Sequence, residues 1–216
     1  MKNIILFDLD GTLTDPKVGI TRSVQYALRH FDINVENPDD LCKFIGPPLR
    51  DSFKEFYGFD DDSAEIATEK YRERFRTTGI YENEIYDGME DLLRKLKSSG
   101  KTLIVATSKP TDFAKIVLEH FNVDKYFSFI SGSEMNGERT DKAEVLKYAF
   151  EKCNIHDMSS CIMIGDRKFD IIGAKSVGIS SIGVLYGYGG KEELMEADAD
   201  YLAEDIRELE TILSKH

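Results

Sequence analysis

Five short runs in this chain, Ile4–Phe7, Leu103–Ala106, Phe127–Ile130, Ile162–Ile164 and Ile182–Leu185, are almost unbroken in apolar character. A strand with one wet face alternates apolar and polar residues, and these runs do not. They read as strands covered on both faces, the condition of a parallel sheet sandwiched between helices. Helical stripes separate most of them. Met89, Leu92, Leu93 and Leu96 form one stripe, closed by Gly100, and Val145, Leu146, Ala149 and Phe150 form another. The alternation predicts an α/β fold, a doubly wound parallel sheet of Rossmann-like type.

The first connection breaks that rhythm. A βαβ unit needs a short loop, a helix and a second short loop, yet residues 8–102 lie between the first two runs. The excess reads as helix. Val24, Leu28 and Phe31 fall at i, i+4, i+7, and so do Leu49, Phe53 and Phe56. Pro38 followed by Asp39 and Asp40 marks one helix start, Asp60–Ser63 marks another, and Gly46-Pro47-Pro48 is a break. The expectation is an all-helical domain at 15–87 inserted into a core made of 1–14 and 88–216.

Composition narrows the ligand. Forty acidic residues against 28 basic ones give a net charge of −12, which disfavours a nucleic-acid scaffold as partner. With 41% hydrophobic residues the chain is not a disordered one. The apolar run before Asp8 is too short for a secretory signal core, and no run approaches the ~20 residues of a membrane helix. Cys42, Cys153 and Cys161 are odd in number and lack C-x-x-C spacing, so reduced thiols and a cytoplasmic location are expected.

The chemistry-bearing residues sit where strands end. The first run leads into Asp8-Leu9-Asp10-Gly11-Thr12. Residues i and i+2 of a strand face one side, so both carboxylates can enter the crevice at the C-terminal sheet edge, where open α/β sheets bind ligands. Thr107-Ser108-Lys109 follows the second run. Thr140-Asp141 caps a helix opened by Lys142. Gly165-Asp166 follows the fourth run, with Asp170 one turn on. Converging carboxylates repel one another, and a hard divalent cation relieves the repulsion; Mg²⁺ takes one or two carboxylates plus substrate phosphate oxygens. One aspartate can then attack phosphorus, a second can move protons, and a hydroxyl and an ammonium can hold phosphoryl oxygens.

With DLDGT, VATSK, TDKAEVL and GDRKFD in order, the sequence resembles the haloacid dehalogenase-like hydrolase superfamily along its whole length. Its pattern is similar to phosphoglycolate phosphatase-like and nucleotidase-like members, where Gly46-Pro47-Pro48-Leu49 and Gly187-Tyr188-Gly189 recur. The resemblance implies an α-helical cap at the insertion. It implies Asp8 as nucleophile, Asp10 as general acid and base, and Thr107, Ser108 and Lys142 as phosphate ligands. It implies Mg²⁺ on Asp8, the main-chain carbonyl of Asp10 and Asp166, with Asp170 supporting the metal directly or through water. The expected activity is hydrolysis of a small phosphorylated metabolite by a monomer or small homo-oligomer. Many phosphoglycolate phosphatases carry a small residue where this chain has Arg167.

Other features leave alternatives open. Arg50 would clamp a substrate carboxylate or second phosphate if the Gly-Pro-Pro break faces the crevice, and otherwise lies on the surface. Lys109 either contacts substrate or occupies a surface turn. Cys161 and Arg167 satisfy C-x5-R, the spacing of thiol phosphatases, but the residues between them form a strand rather than an amide-rich anion loop. Gly187–Lys191 lacks the spacing of a phosphate-binding P-loop. Two rival functions share the fold: a β-phosphoglucomutase-like transfer, which would return phosphate to a sugar, and a non-catalytic regulatory module, which should have lost part of the motif set.

Overall fold

The computed structural model describes residues 2–215. The chain divides into two compact units, one running through Asp15 and resuming at Ile85, the other Pro16–Glu84. The first is the α/β core. Its sheet has six parallel strands, β1 (Ile4–Phe7), β2 (Thr102–Pro110), β3 (Phe129–Ser133), β4 (Cys161–Gly165), β5 (Ser180–Val184) and β6 (Tyr201–Ala203). Their spatial order is β3-β2-β1-β4-β5-β6. This is the doubly wound order, whose direction of winding reverses between β1 and β4.

The apolar runs do what their pattern demands. Ile5, Leu6, Phe7, Leu103 to Ala106 and Cys161 to Ile164 are all buried. One face packs on Val145, Leu146, Ala149 and Phe150 of the helix Lys142–Lys152. The stripe at Met89, Leu92, Leu93 and Leu96 is buried on the helix Met89–Ser98. Several strands differ from the sequence expectation: β2 runs on to Pro110, and β5 begins two residues before its apolar run, at Ser180. β3 lies two residues later than its apolar run, because the segment before it, Asp124–Tyr126, winds into a 3-10 turn. β6 was not anticipated, since it is three residues long and two of them are only partly buried.

The inserted unit is helical. It contains Lys17–Arg29, the 3-10 helix Pro38–Phe44, Leu49–Tyr57 and Asp61–Thr77. The start signals work as capping chemistry predicts. Asn37 accepts from the Asp39 N–H and Asp60 from the Ser63 N–H. Val24, Leu28, Leu41, Phe44, Phe53 and Phe75 form its buried interior. The chain leaves the core after Thr14–Asp15 and returns at Glu84–Ile85, and these segments pair as a short ribbon. The return is thus a few residues earlier than the expected 88. No helix of the described residues is long and apolar enough to cross a membrane.

Candidate active site

Register brings the carboxylates together. Phe7 is level with Val105 of β2 and with Ile164 of β4. Asp8 continues that ladder, donating its N–H to the Ile164 carbonyl at 2.8 Å. Asp8 therefore leaves β1 beside the point where Asp166 leaves β4, at the switch in strand order. Oxygens of Asp8, Asp166 and Asp170 all lie within 4.8 Å of one another, and all three residues are buried.

Lys142 stands at the centre of the group. Its Nζ donates to the Ala106 carbonyl at 2.9 Å and lies 3.1 Å from Asp8 Oδ1 and 2.7 Å from Asp170 Oδ1. Burial alone would push this ammonium's pKa down, but the Asp170 and Asp8 carboxylates outweigh it and hold the pKa above its ordinary value. The expected cap is present. Asp141 Oδ1 accepts from the Ala143 and Glu144 N–H groups and fixes the helix end that carries Lys142.

The acids carry more negative charge than their lysines offset. Burial, reinforced by Asp170 and Asp8, raises the Asp166 pKa well above its ordinary value. Burial also lifts Asp170 to about 6, against the opposing pull of Lys142. Its Oδ1 has the ion pair but no well-directed hydrogen bond. Three buried oxygen donors, a residual negative charge and one such oxygen fit a hard divalent cation. Asp10 is outside the triad. Lys109 Nζ grips both of its oxygens, at 2.9 and 2.7 Å. Burial raises the Asp10 pKa, Lys109 opposes the rise, and Asp8 adds to it.

The remaining candidates divide. Thr107, Ser108 and Lys109 ride a register shift in β2 between Ala106 and Pro110, the kind of bulge that re-aims side chains beside a site. Thr107 is buried, and its Oγ1 accepts from the Lys109 N–H at 3.2 Å. The Ser108 hydroxyl donates to the Thr140 carbonyl at 3.0 Å, so it ties the β2 end to the segment preceding Lys142. Arg50, within the helical unit, reaches Asp61 at 3.3 Å and Glu65 at 3.7 Å. Cys161 is buried in β4, where burial pushes its thiol up, and a protonated thiol is a poor nucleophile.

Three features escaped the sequence. The partner of Lys109 is Asp10, which no local pattern reveals. Tyr188 donates its N–H to Asp166 Oδ2 at 2.7 Å; the Gly-Tyr-Gly signal was visible, but its contact was not. Glu193, which bonds Arg167 and Lys168, has no sequence signal at all.

Comparison with known proteins places this geometry. Residues 5–184 match the sequence model of the family described as haloacid dehalogenase-like hydrolase. A 5'-nucleotidase of Pseudomonas aeruginosa is 46% identical over 212 residues, covering 98% of this chain and 96% of its own. The tyrosine-protein kinase PtkA of Mycobacterium tuberculosis is 36% identical over 186 residues, covering 86% of this chain and 63% of its own. The crystal structure of a predicted phosphatase from Clostridium acetobutylicum superposes with a TM-score of 0.97 at 49% identity, covering 100% of both chains.

Proposed function

This chain belongs to the haloacid dehalogenase-like hydrolase family and is a phosphatase, and from that premise we propose that it hydrolyses a small phosphate monoester of the nucleoside monophosphate class through a phosphoryl group carried on Asp8. The observation that carries this reading is the pairing of two differently held carboxylates on one strand exit. Asp8 Oδ1 accepts from the Leu9 N–H at 2.8 Å and faces Lys142, which leaves Oδ2 to attack. Asp10 is held separately by Lys109, and burial raises its pKa, the direction a proton carrier needs.

In the first step Asp8 Oδ2 forms a bond to phosphorus while the ester P–O bond breaks. The leaving alkoxide takes a proton from Asp10. In the second step Asp10 takes a proton from water, whose oxygen attacks phosphorus. The bond to Asp8 then breaks, releasing inorganic phosphate and restoring both aspartates. Lys142 fixes Asp8 and offers positive charge to the phosphoryl oxygens. Thr107 offers a hydroxyl, and Ser108 holds the segment that precedes Lys142. Mg²⁺, held by Asp8, Asp166, Asp170 and the Asp10 main-chain carbonyl, would offset the charge of the acids and of the phosphoryl oxygens.

The substrate class rests on the 46% identical 5'-nucleotidase, which this chain matches nearly end to end. The kinase relative is matched over only 63% of its length, so hydrolysis, not transfer to a hydroxyl acceptor, is the favoured outcome. A panel of phosphorylated metabolites, ranked by kcat/KM with free phosphate measured, tests this. Nucleoside monophosphates should rank first and release free phosphate. A sugar phosphate ranking first, or an isomerised sugar phosphate as product, overturns it.

A further inference from the structure

The segment from Gly187 to Glu193 grips the turn that carries Asp166 and Asp170 at three points. First, the Tyr188 N–H donates to Asp166 Oδ2 at 2.7 Å. Second, the backbone packs against that residue with no room for a side chain. A Cβ at Gly187 would lie 2.3 Å from the Asp166 Cβ, and one at Gly189 would lie 1.9 Å from the Asp166 carbonyl oxygen. Third, Glu193 Oε1 accepts from both the Arg167 Nε and the Lys168 N–H at 2.9 Å, and Oε2 accepts from a second Arg167 nitrogen at 3.4 Å.

The third grip matters because Lys168 begins the helix Lys168–Ser176, on which Asp170 stands. A first-turn N–H has no partner within its own helix, and Glu193 satisfies it from another element. Asp170 closes the same turn from inside, its Oδ2 accepting from the Arg167 N–H at 3.1 Å. Arg167, the position at which this chain departs from many phosphoglycolate phosphatases, is thus the bridge between the motif and the Glu193 helix, Lys191–Glu196.

We propose that Gly187–Glu193 is a positioning clamp, in which Tyr188 sets the Asp166 carboxylate and the Arg167–Glu193 pair fixes the start of the Asp170 helix, so that both acids are held ready for a divalent cation. The clamp rests on the reading of Asp166 and Asp170 as cation ligands. Groups that orient metal ligands without touching the metal typically change affinity by about 10–100-fold when removed.

The test uses Mn²⁺ alone as probe, titrated into the full-length protein and followed by electron paramagnetic resonance of the free ion, with melting temperatures recorded alongside. Arg167→Ala and Glu193→Ala should each weaken Mn²⁺ binding about tenfold or more in protein that is still folded. The double variant should bind no more weakly than the worse single variant, because the two residues act as one pair. If Glu193→Ala does not fold, Glu193→Gln decides the matter: its amide oxygen can still accept from the Lys168 N–H, but it loses the charge and the second acceptor oxygen that face Arg167, and an affinity drop of about threefold or more is expected. Variants that bind Mn²⁺ as tightly as the parent overturn the clamp and leave the ligand assignment standing. A parent protein that binds no Mn²⁺ overturns the ligand assignment and the clamp together.

Discussion

Asp8 and Asp10 leave the same strand two residues apart, and their neighbours hold them differently. Asp8 is fixed by the Leu9 N–H and Lys142. Asp10 is gripped by Lys109, and burial pushes its pKa up. Substitution should separate them in the same way. In the proposed mechanism Asp8→Asn removes the attacking oxygen and Asp10 is the proton carrier, so turnover of an aryl phosphate by Asp8→Asn should vanish while the circular dichroism spectrum is kept. Asp10→Asn keeps the nucleophile and loses the proton carrier, so kcat should fall by about 10²–10⁴-fold. The second step, which needs a base, should suffer with the first, and rapid-quench analysis should detect phosphorylated protein in this variant. Undiminished kcat in either variant removes that residue from the mechanism. The positions of Asp8, Asp10, Asp166 and Thr107 at strand ends were legible because each follows an apolar run, and Lys142 and Asp170 because each lies in the first turn of a patterned helix. Lys109 was ambiguous because its partner lies far away in sequence. Residue type and spacing report which end of a strand a group occupies, and only the packed sheet reports what it meets there.

At the scale of the element, the site depends on how strands and helices begin and end. Lys142 reaches Asp8 and Asp170 because its helix starts where Asp141 caps it. Asp141→Ala removes a side chain that satisfies two first-turn N–H groups, at a cost of about 1 kcal/mol. For a chain of this size that lowers the melting temperature by roughly 2–4 °C. Asp141→Ser, which also caps, should recover most of the loss in the same calorimetric scan, and no difference between the two would assign the cap no role. The elements themselves were unequally legible. Continuous apolar runs revealed five strands because burial on both faces leaves no room for polar residues. β6 escaped because an edge strand is covered less, and Tyr201 and Leu202 are only partly buried. The register shift in β2 also escaped, since a bulge is set by pairing with β3 and leaves no mark in β2 alone.

At the scale of the whole molecule, the net charge of −12 is spread over many solvated acids, but the few that are buried make stability depend on pH and on cations together. Asp170 titrates at about 6 in the fold against an ordinary value near 3.9. A raised pKa means that its contribution to stability is complete below about 3.9 and is lost as pH rises through about 6. Asp166 and Asp10, also raised, act in the same direction. Acids held low by surface partners, such as Asp61 and Glu73, act oppositely, but they are ionised in both folded and unfolded chains above about pH 5.5 and drop out of that range. Between pH 5.5 and 7.5 the buried acids therefore dominate the carboxylate contribution, and in EDTA they should make the protein more stable toward the acid end. A divalent cation held as proposed by Asp8, Asp166 and Asp170 would reverse the preference, because it would bind the ionised acids and compete with their protons. Mg²⁺ at about 100 times its dissociation constant adds about 2.7 kcal/mol, roughly 5–10 °C in melting temperature for a chain of this size. Scanning calorimetry with EDTA or Mg²⁺ at the two pH values should therefore show a large Mg²⁺-dependent rise at pH 7.5 and a much smaller one at pH 5.5. An equal rise at both pH values would mean that the cation binds away from Asp8, Asp166 and Asp170, and no rise at either would remove the cation from the site altogether.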